Sequence, residues 1–140
     1  MKKSITVLGL TLLLAACHPG IGTTTRPIQL DLNSDLARQK LNPTIALSFS
    51  QGAVPGQNLG TYVSNKKTNS TNKDAPEACR IAFISALISL QNRAAQLGGN
   101  AVVNIHSYYN KNPVYNASSY QCEDGFWMTG VALRGTVVRR

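Results

Sequence analysis

The sequence predicts an α+β domain, a small sheet of three or more strands with one long helix packed on a face. Three observations carry this. Residues 74–97 place apolar side chains at helical spacing between a capping signal and a Gly-Gly stop. Residues 44–49, 100–109 and 128–138 alternate apolar and polar side chains, the period of a half-buried strand. The chain has 140 residues, which at roughly 100–200 residues per domain holds one folding unit. The predicted helix and strands therefore share one core.

The first segment stands apart from that core. Met1-Lys2-Lys3 is basic, Ile5 to Leu14 is apolar, and Ala15-Ala16 are small. These are the three parts of an export signal. The apolar run falls short of the about 20 residues a helix needs to cross a bilayer. Its end, Leu14-Ala15-Ala16-Cys17, resembles the lipobox of bacterial lipoproteins. The resemblance implies a diacylglycerol on the Cys17 thiol, cleavage after residue 16 and acylation of the new amino group. Residue 18 is His and not Asp, which by the same resemblance implies the outer membrane. One acyl chain holds a protein only marginally, whereas three on one cysteine anchor it stably. Loss of Lys2 and Lys3 takes the formal charge from +8 to +6.

The expected organisation is a signal over residues 1–16, a lipidated Cys17 with a tether over 17–43, and an interaction domain over 44–140. His18 to Arg26 reads as flexible linker. Ile28, Leu30 and Leu32 alternate, predicting a short edge strand, and Ser34 caps one or two helical turns to Leu41. Ile45, Leu47 and Phe49 form one face of a strand. Gln51 to Asp74 is polar and glycine-containing, predicting a long loop with at most a short strand at Tyr62-Val63. In the long helix Asp74 caps, Pro76 suits the first turn and Glu77 completes a capping-box spacing, with Gly98-Gly99 as the stop. Ser85, Ser89, Asn92, Arg93 and Gln96 form one narrow polar side. The apolar remainder, including Phe83, Ile84, Leu87, Ile88, Leu90, Ala94 and Leu97, spans roughly 200°, well beyond the 100° stripe of an ordinary surface helix. That width predicts packing on a sheet and on something further: another layer, another protein or a second copy of the chain. The strand over 100–109 is expected to put Ala101, Val103, Ile105 and Ser107 on one face, with Asn104, His106 and Tyr108 on the other. Residues 110–127 read as a loop or ragged hairpin. The last strand sets Val131, Leu133 and Val137 against Arg134 and Thr136, and Gly135 marks a bulge or a close backbone approach.

The chain has three cysteines. With Cys17 taken by lipid, Cys79 and Cys122 remain, and an exported protein lives where disulfides persist. The expectation is a structural Cys79–Cys122 bridge pinning the first turn of the helix to the segment before the last strand. No Cys-x-x-Cys arrangement points to redox chemistry.

The sequence is poor in catalytic patterns. The six acids are Asp31, Asp35, Asp74, Glu77, Glu123 and Asp124. Glu123 and Asp124 are neighbours in a predicted loop, where adjacent side chains point apart. His18 lies on the tether, and His106 on a polar strand face. No group of three or four converging ligands is visible, so neither metal nor cofactor is expected. There is no nucleophile elbow and no phosphate-binding loop. The basic residues are scattered through loops and not arrayed along a helix, which together with export excludes a nucleic-acid partner. A basic surface outside the cytoplasm suits anionic lipid, wall polymer or an acidic protein. Tyr108, Tyr109, Tyr115, Tyr120, Phe126 and Trp127 gather around Cys122. Tyr and Trp are over-used where proteins bind, so these six are the candidate contact surface.

Cys79 to Leu97, then Gly98-Gly99-Asn100-Ala101-Val102-Val103-Asn104-Ile105-His106, Cys122 and Met128 to Leu133 carry a resemblance. The stretch resembles a group of small exported Gram-negative proteins often labelled as excinuclease ABC components, a label at odds with a chain that has no ATP-binding motif. It is also similar to the RcsF/YbjQ-like family, which includes an outer-membrane lipoprotein that signals envelope stress. The resemblance covers about residues 75–138 and implies the fold. Cys79 and Cys122 match one cysteine pair of that pattern, and the second pair is missing here. The expected function is an outer-membrane lipoprotein with a non-enzymatic periplasmic interaction module. It would be a structural subunit of an envelope-spanning assembly such as a secretion system. The alternatives are an envelope stress sensor, or a ligand-binding or hydrolytic protein using the aromatic loop.

Overall fold

The computed structural model describes residues 22–52 and 55–140. The signal segment, Cys17 and the start of the tether lie outside the described residues. The elements in chain order are β1 (Gly22–Pro27), α1 (Ile28–Leu32), α2 (Asp35–Lys40), β2 (Ala46–Phe49), β3 (Gln57–Asn69), α3 (Ala75–Leu97), β4 (Ala101–Ser107), β5 (Ser119–Asp124) and β6 (Met128–Arg139), with a short 3₁₀ turn at Tyr109–Lys111. They form an α+β fold: a mixed six-stranded sheet with α3 packed on one face.

Strand β6 organises the sheet. It pairs antiparallel with β3 from Met128 to Arg139, while β4 and β5 share its other edge. Beyond them β1 pairs antiparallel with β5, and β2 runs parallel to β4. Val131, Leu133 and Val137 of β6 point into the core under α3 and are at most 1% exposed. Gly135 lies on the same face. A Cβ there would sit 2.8 Å from Val102 Cγ1 and 3.1 Å from Ile105 Cγ1, so what excludes a side chain is the close approach of neighbouring side chains and not of backbone.

Helix α3 begins and ends as its caps dictate. Asp74 accepts a hydrogen bond from the Glu77 amide at 2.8 Å, filling one of the free first-turn donors. Gly98 closes the helix at φ 75°, a left-handed position that favours glycine. Most of the wide apolar arc is covered within the chain. The sheet takes one side, and α1, α2 and the segment leading to β2 take the other through buried Ile28, Ala37 and Ile45. Gln91 locks that second layer, accepting from the Asn42 amide at 2.8 Å and donating to the Asn42 and Ile45 carbonyls. Ile88 and Leu97 of the arc are only partly buried.

Several expectations need correction. The linker reading fails from Gly22 onward, because Gly22–Pro27 is β1, held to β5 in register from Gly22↔Asp124 to Pro27↔Ser119. Ile28–Leu32 is a helical turn and not an edge strand. Buried Asp31 has to meet Arg26, Arg80 and Tyr120, and an extended chain would turn it away from them. The long polar loop is largely β3, a 13-residue strand. It is polar because it is an edge strand, and edge strands protect themselves with Lys and other polar residues. In β4 the faces change partway. Asn104 adopts φ 51° and the pairing with β6 shifts between Val103 and His106. The bulge sends Val102, Ile105 and Ser107 toward α3 while Ala101, Val103 and His106 face the other way. Finally, of the loop or ragged hairpin expected over 110–127, the hairpin alternative holds for residues 119–124, which are the regular strand β5 and turn back antiparallel into β6.

Candidate functional site

Cys79, at the start of the second turn of α3, and Cys122, on β5, are fully buried and bonded to each other. The bridge ties the helix start to a strand that touches β6 through only two residue pairs. It closes a span of 43 residues, which by chain entropy stabilises by about 4 kcal/mol.

A polar cluster that pattern reading missed lies close to this bridge. Asp31 is completely buried. Its carboxylate accepts from Arg80 Nε at 3.0 Å, from Arg26 Nη2 at 3.3 Å and Nε at 3.4 Å, and from the Tyr120 hydroxyl. Burial, reinforced by the adjacent Asp31 carboxylate, pushes the Tyr120 hydroxyl well above its usual range, so it remains a donor. Two guanidinium groups and a phenol around one carboxylate make a closed set of donors and acceptor. The one signal in the sequence is an acid between two leucines, Leu30-Asp31-Leu32.

The six candidate aromatics do not form one surface. Tyr120 is a core residue, 2% exposed, stacked on Phe83 at 3.8 Å between ring centroids. It is removed from the contact surface because its ring completes the packing between α3 and β5. Tyr108 and Tyr115 lie on the sheet face away from α3. There the Arg134 guanidinium stands 4.2 Å over the Tyr108 ring and donates to the Tyr115 hydroxyl at 3.3 Å. The Tyr115 ring lies 4.2 Å from that of His106. Tyr109 lines a shallow hollow with Lys67, Glu123 and Met128. Phe126 and Trp127 project from the β5–β6 turn at 70% and 71% exposure, edge to face against each other.

His106 is buried, as a hydrogen-bonded strand histidine. Its Nδ1 hydrogen donates to the Asn104 carbonyl at 2.7 Å, and Nε2 accepts from Arg134 Nε at 2.9 Å. Burial and the Arg134 charge lower its pKa and favour the neutral ring. Glu123 and Asp124 point to opposite faces of β5. Asp124 is buried and accepts from Thr129 Oγ1 at 2.8 Å, while Glu123 accepts from Thr23. Among the described residues no three His, Cys, Asp or Glu side chains gather as metal ligands, and no helix is long and apolar enough to cross a membrane.

No protein-family model, curated protein or solved structure matches this chain.

Proposed function

We propose that the chain is an outer-membrane lipoprotein, anchored through acylated Cys17, whose described residues form a non-enzymatic periplasmic interaction domain. The observation that carries this reading is the buried Cys79–Cys122 bond. A core disulfide suits an oxidising compartment and hence export. It also leaves Cys17 as the one cysteine outside the bridge, directly after the apolar run and the small residues. The dispersal of the aromatic side chains favours contact surfaces over a shared ligand pocket.

The finer assignment is an RcsF/YbjQ-like fold. It is supported by the order of long helix, Gly98-Gly99 and strand, and by a bridge from the helix start to the strand preceding the last one. The role that follows is a structural subunit of an envelope-spanning assembly such as a secretion system.

Two measurements test this. Mass spectrometry of the protein from a Gram-negative host should give a chain starting at a triacylated Cys17, and an uncleaved amino terminus or a free Cys17 thiol overturns the anchor. Extraction in mild detergent should recover envelope proteins at fixed stoichiometry. Transient partners that respond to envelope damage would overturn the structural role in favour of a sensor.

A further inference from the structure

We infer that the β5–β6 hairpin tip is a second membrane contact, docking on the anionic headgroups of the bilayer that holds the lipid anchor. The inference deepens the lipoprotein reading and takes the position of the anchor from it.

The tip exposes Phe126, Trp127 and Met128 in succession, at 70%, 71% and 49%. Three adjacent large apolar side chains in water are costly unless something covers them. The turn is not loosely attached. The Trp127 carbonyl accepts from the Ser70 amide at 2.9 Å, and the Gly125 amide donates to the Met128 carbonyl at 3.0 Å. The aromatic pair is thus held outward by the end of β3.

That strand end also supplies positive charge on both faces of the sheet. Lys67, opposite Gly130, lines a hollow with Met128, Lys66, opposite Val131, lies on the α3 side, and Lys73 folds back so that Nζ donates to the Asn69 carbonyl. The nearby carboxylates accept from neutral donors, Asp124 from Thr129, Glu123 from Thr23 and Asp74 from the Glu77 amide. Such hydrogen bonds do not cancel charge, so the lysines are local headgroup contacts beside them and not a net positive patch. An apolar tip flanked by lysines is the chemistry of a membrane interface, where aromatic rings sit at headgroup level and Lys meets anionic lipid. A folded protein partner fits less well. A stable interface takes roughly 800 Å² from each side, whereas Phe and Trp offer about 150–250 Å² apiece.

The position of the anchor agrees. Gly22 pairs with Asp124, two residues before Phe126. Cys17 is five residues upstream of Gly22, a distance the extended chain spans in at most ~18 Å. Lipid on Cys17 therefore keeps this end of the sheet next to the bilayer.

Trp127 is the one tryptophan of the chain, so it reports its own surroundings. The experiment uses the mature chain of the proposed reading, residues 17–140 carrying Cys17→Ser, mixed with vesicles of phosphatidylglycerol and phosphatidylcholine or of phosphatidylcholine alone. The expected result is a blue shift of Trp127 emission and quenching by brominated acyl chains on the anionic vesicles, weakened by salt. Replacing Lys66, Lys67 and Lys73 by Glu should lower affinity on the order of 100-fold with an unchanged circular dichroism spectrum, and Phe126→Ser should weaken it further. Three results overturn the inference: Trp127 emission unmoved by anionic vesicles, a shift of equal size on both vesicle types that survives the Lys replacements, or a shift that appears only when an envelope protein is added. Because the assayed chain carries no lipid, its outcome is independent of whether native Cys17 is acylated. Failure of the anchor and failure of the tip are thus read separately.

Discussion

At the scale of single residues, Asp31 and His106 carry the largest consequences. Asp31 is the shared acceptor of Arg26, Arg80 and Tyr120. Its removal leaves two guanidinium groups and a buried hydroxyl without their acceptor, and breaking such a buried pair costs about 3–5 kcal/mol. Asp31→Ala should lower the stability measured by urea titration by that amount at neutral pH, and a change within the range of exposed substitutions would show the cluster to be dispensable. His106 is held neutral by a hydrogen bond in which Arg134 is the donor. Its pKa is lower folded than unfolded, so below about 6.5 the unfolded chain takes up the proton more readily and stability falls with it. The contribution is fully present above the unfolded value and is lost on acidification, by at most about 1.4 kcal/mol per pH unit. Denaturant titrations between neutral and mildly acidic pH should show this slope in the native chain and a shallower one in His106→Gln. Neither role follows from local pattern. A lone acid between leucines and a lone strand histidine both read as ordinary surface residues until the partners, 49 and 28 positions away in sequence, are in place.

Among the elements, those defined by local chemistry were plain in the sequence and those defined by neighbours were not. Helix α3 carries its own instructions: Asp74 at one end, Gly98 at the other and apolar spacing between. Strand β6 likewise alternates along its length, with Gly135 where no side chain fits. Gly135→Ala should overpack this contact and cost about 1–3 kcal/mol, measurable as a lower Tm; an unchanged Tm would mean that Val102 and Ile105 yield freely. Strand β3 was hidden because its partner on one side is β6 and its other side is an edge, so it has no apolar alternation to display. Strand β4 was visible but misassigned in its faces. A single residue in left-handed conformation, Asn104, shifts the phase of every side chain after it. The stretch 28–32 alternates like a strand but forms a helical turn because the buried Asp31 cluster governs its geometry.

On the scale of the whole molecule, the bridge between Cys79 and Cys122 and the hub strand β6 hold the parts together. The double replacement Cys79→Ala with Cys122→Ala should cost about 4 kcal/mol. Reduction should do the same in the native chain, seen as matched falls in the denaturation midpoint. If reduction left the midpoint unchanged, the bridge would not be limiting the unfolded chain. The layers also explain why the apolar arc of α3 is so wide. One half meets the sheet and the other meets α1, α2 and the Gln91 clamp, so the extra width reflects an inner second layer.

By itself the sequence determined the α+β class, the extent of α3 and its caps, the core face of β6 and the pairing of the two cysteines beyond Cys17. Each depends on side chains close in sequence or on simple elimination. Only the tertiary structure decided that residues 22–40 belong to the packed unit, that β3 and β5 are strands, and that the aromatics divide between core, far face and hairpin tip. Those outcomes depend on partners distant along the chain. Burial, the register across a bulge and the closing of a polar cluster are properties of the assembled fold, and no local period encodes them.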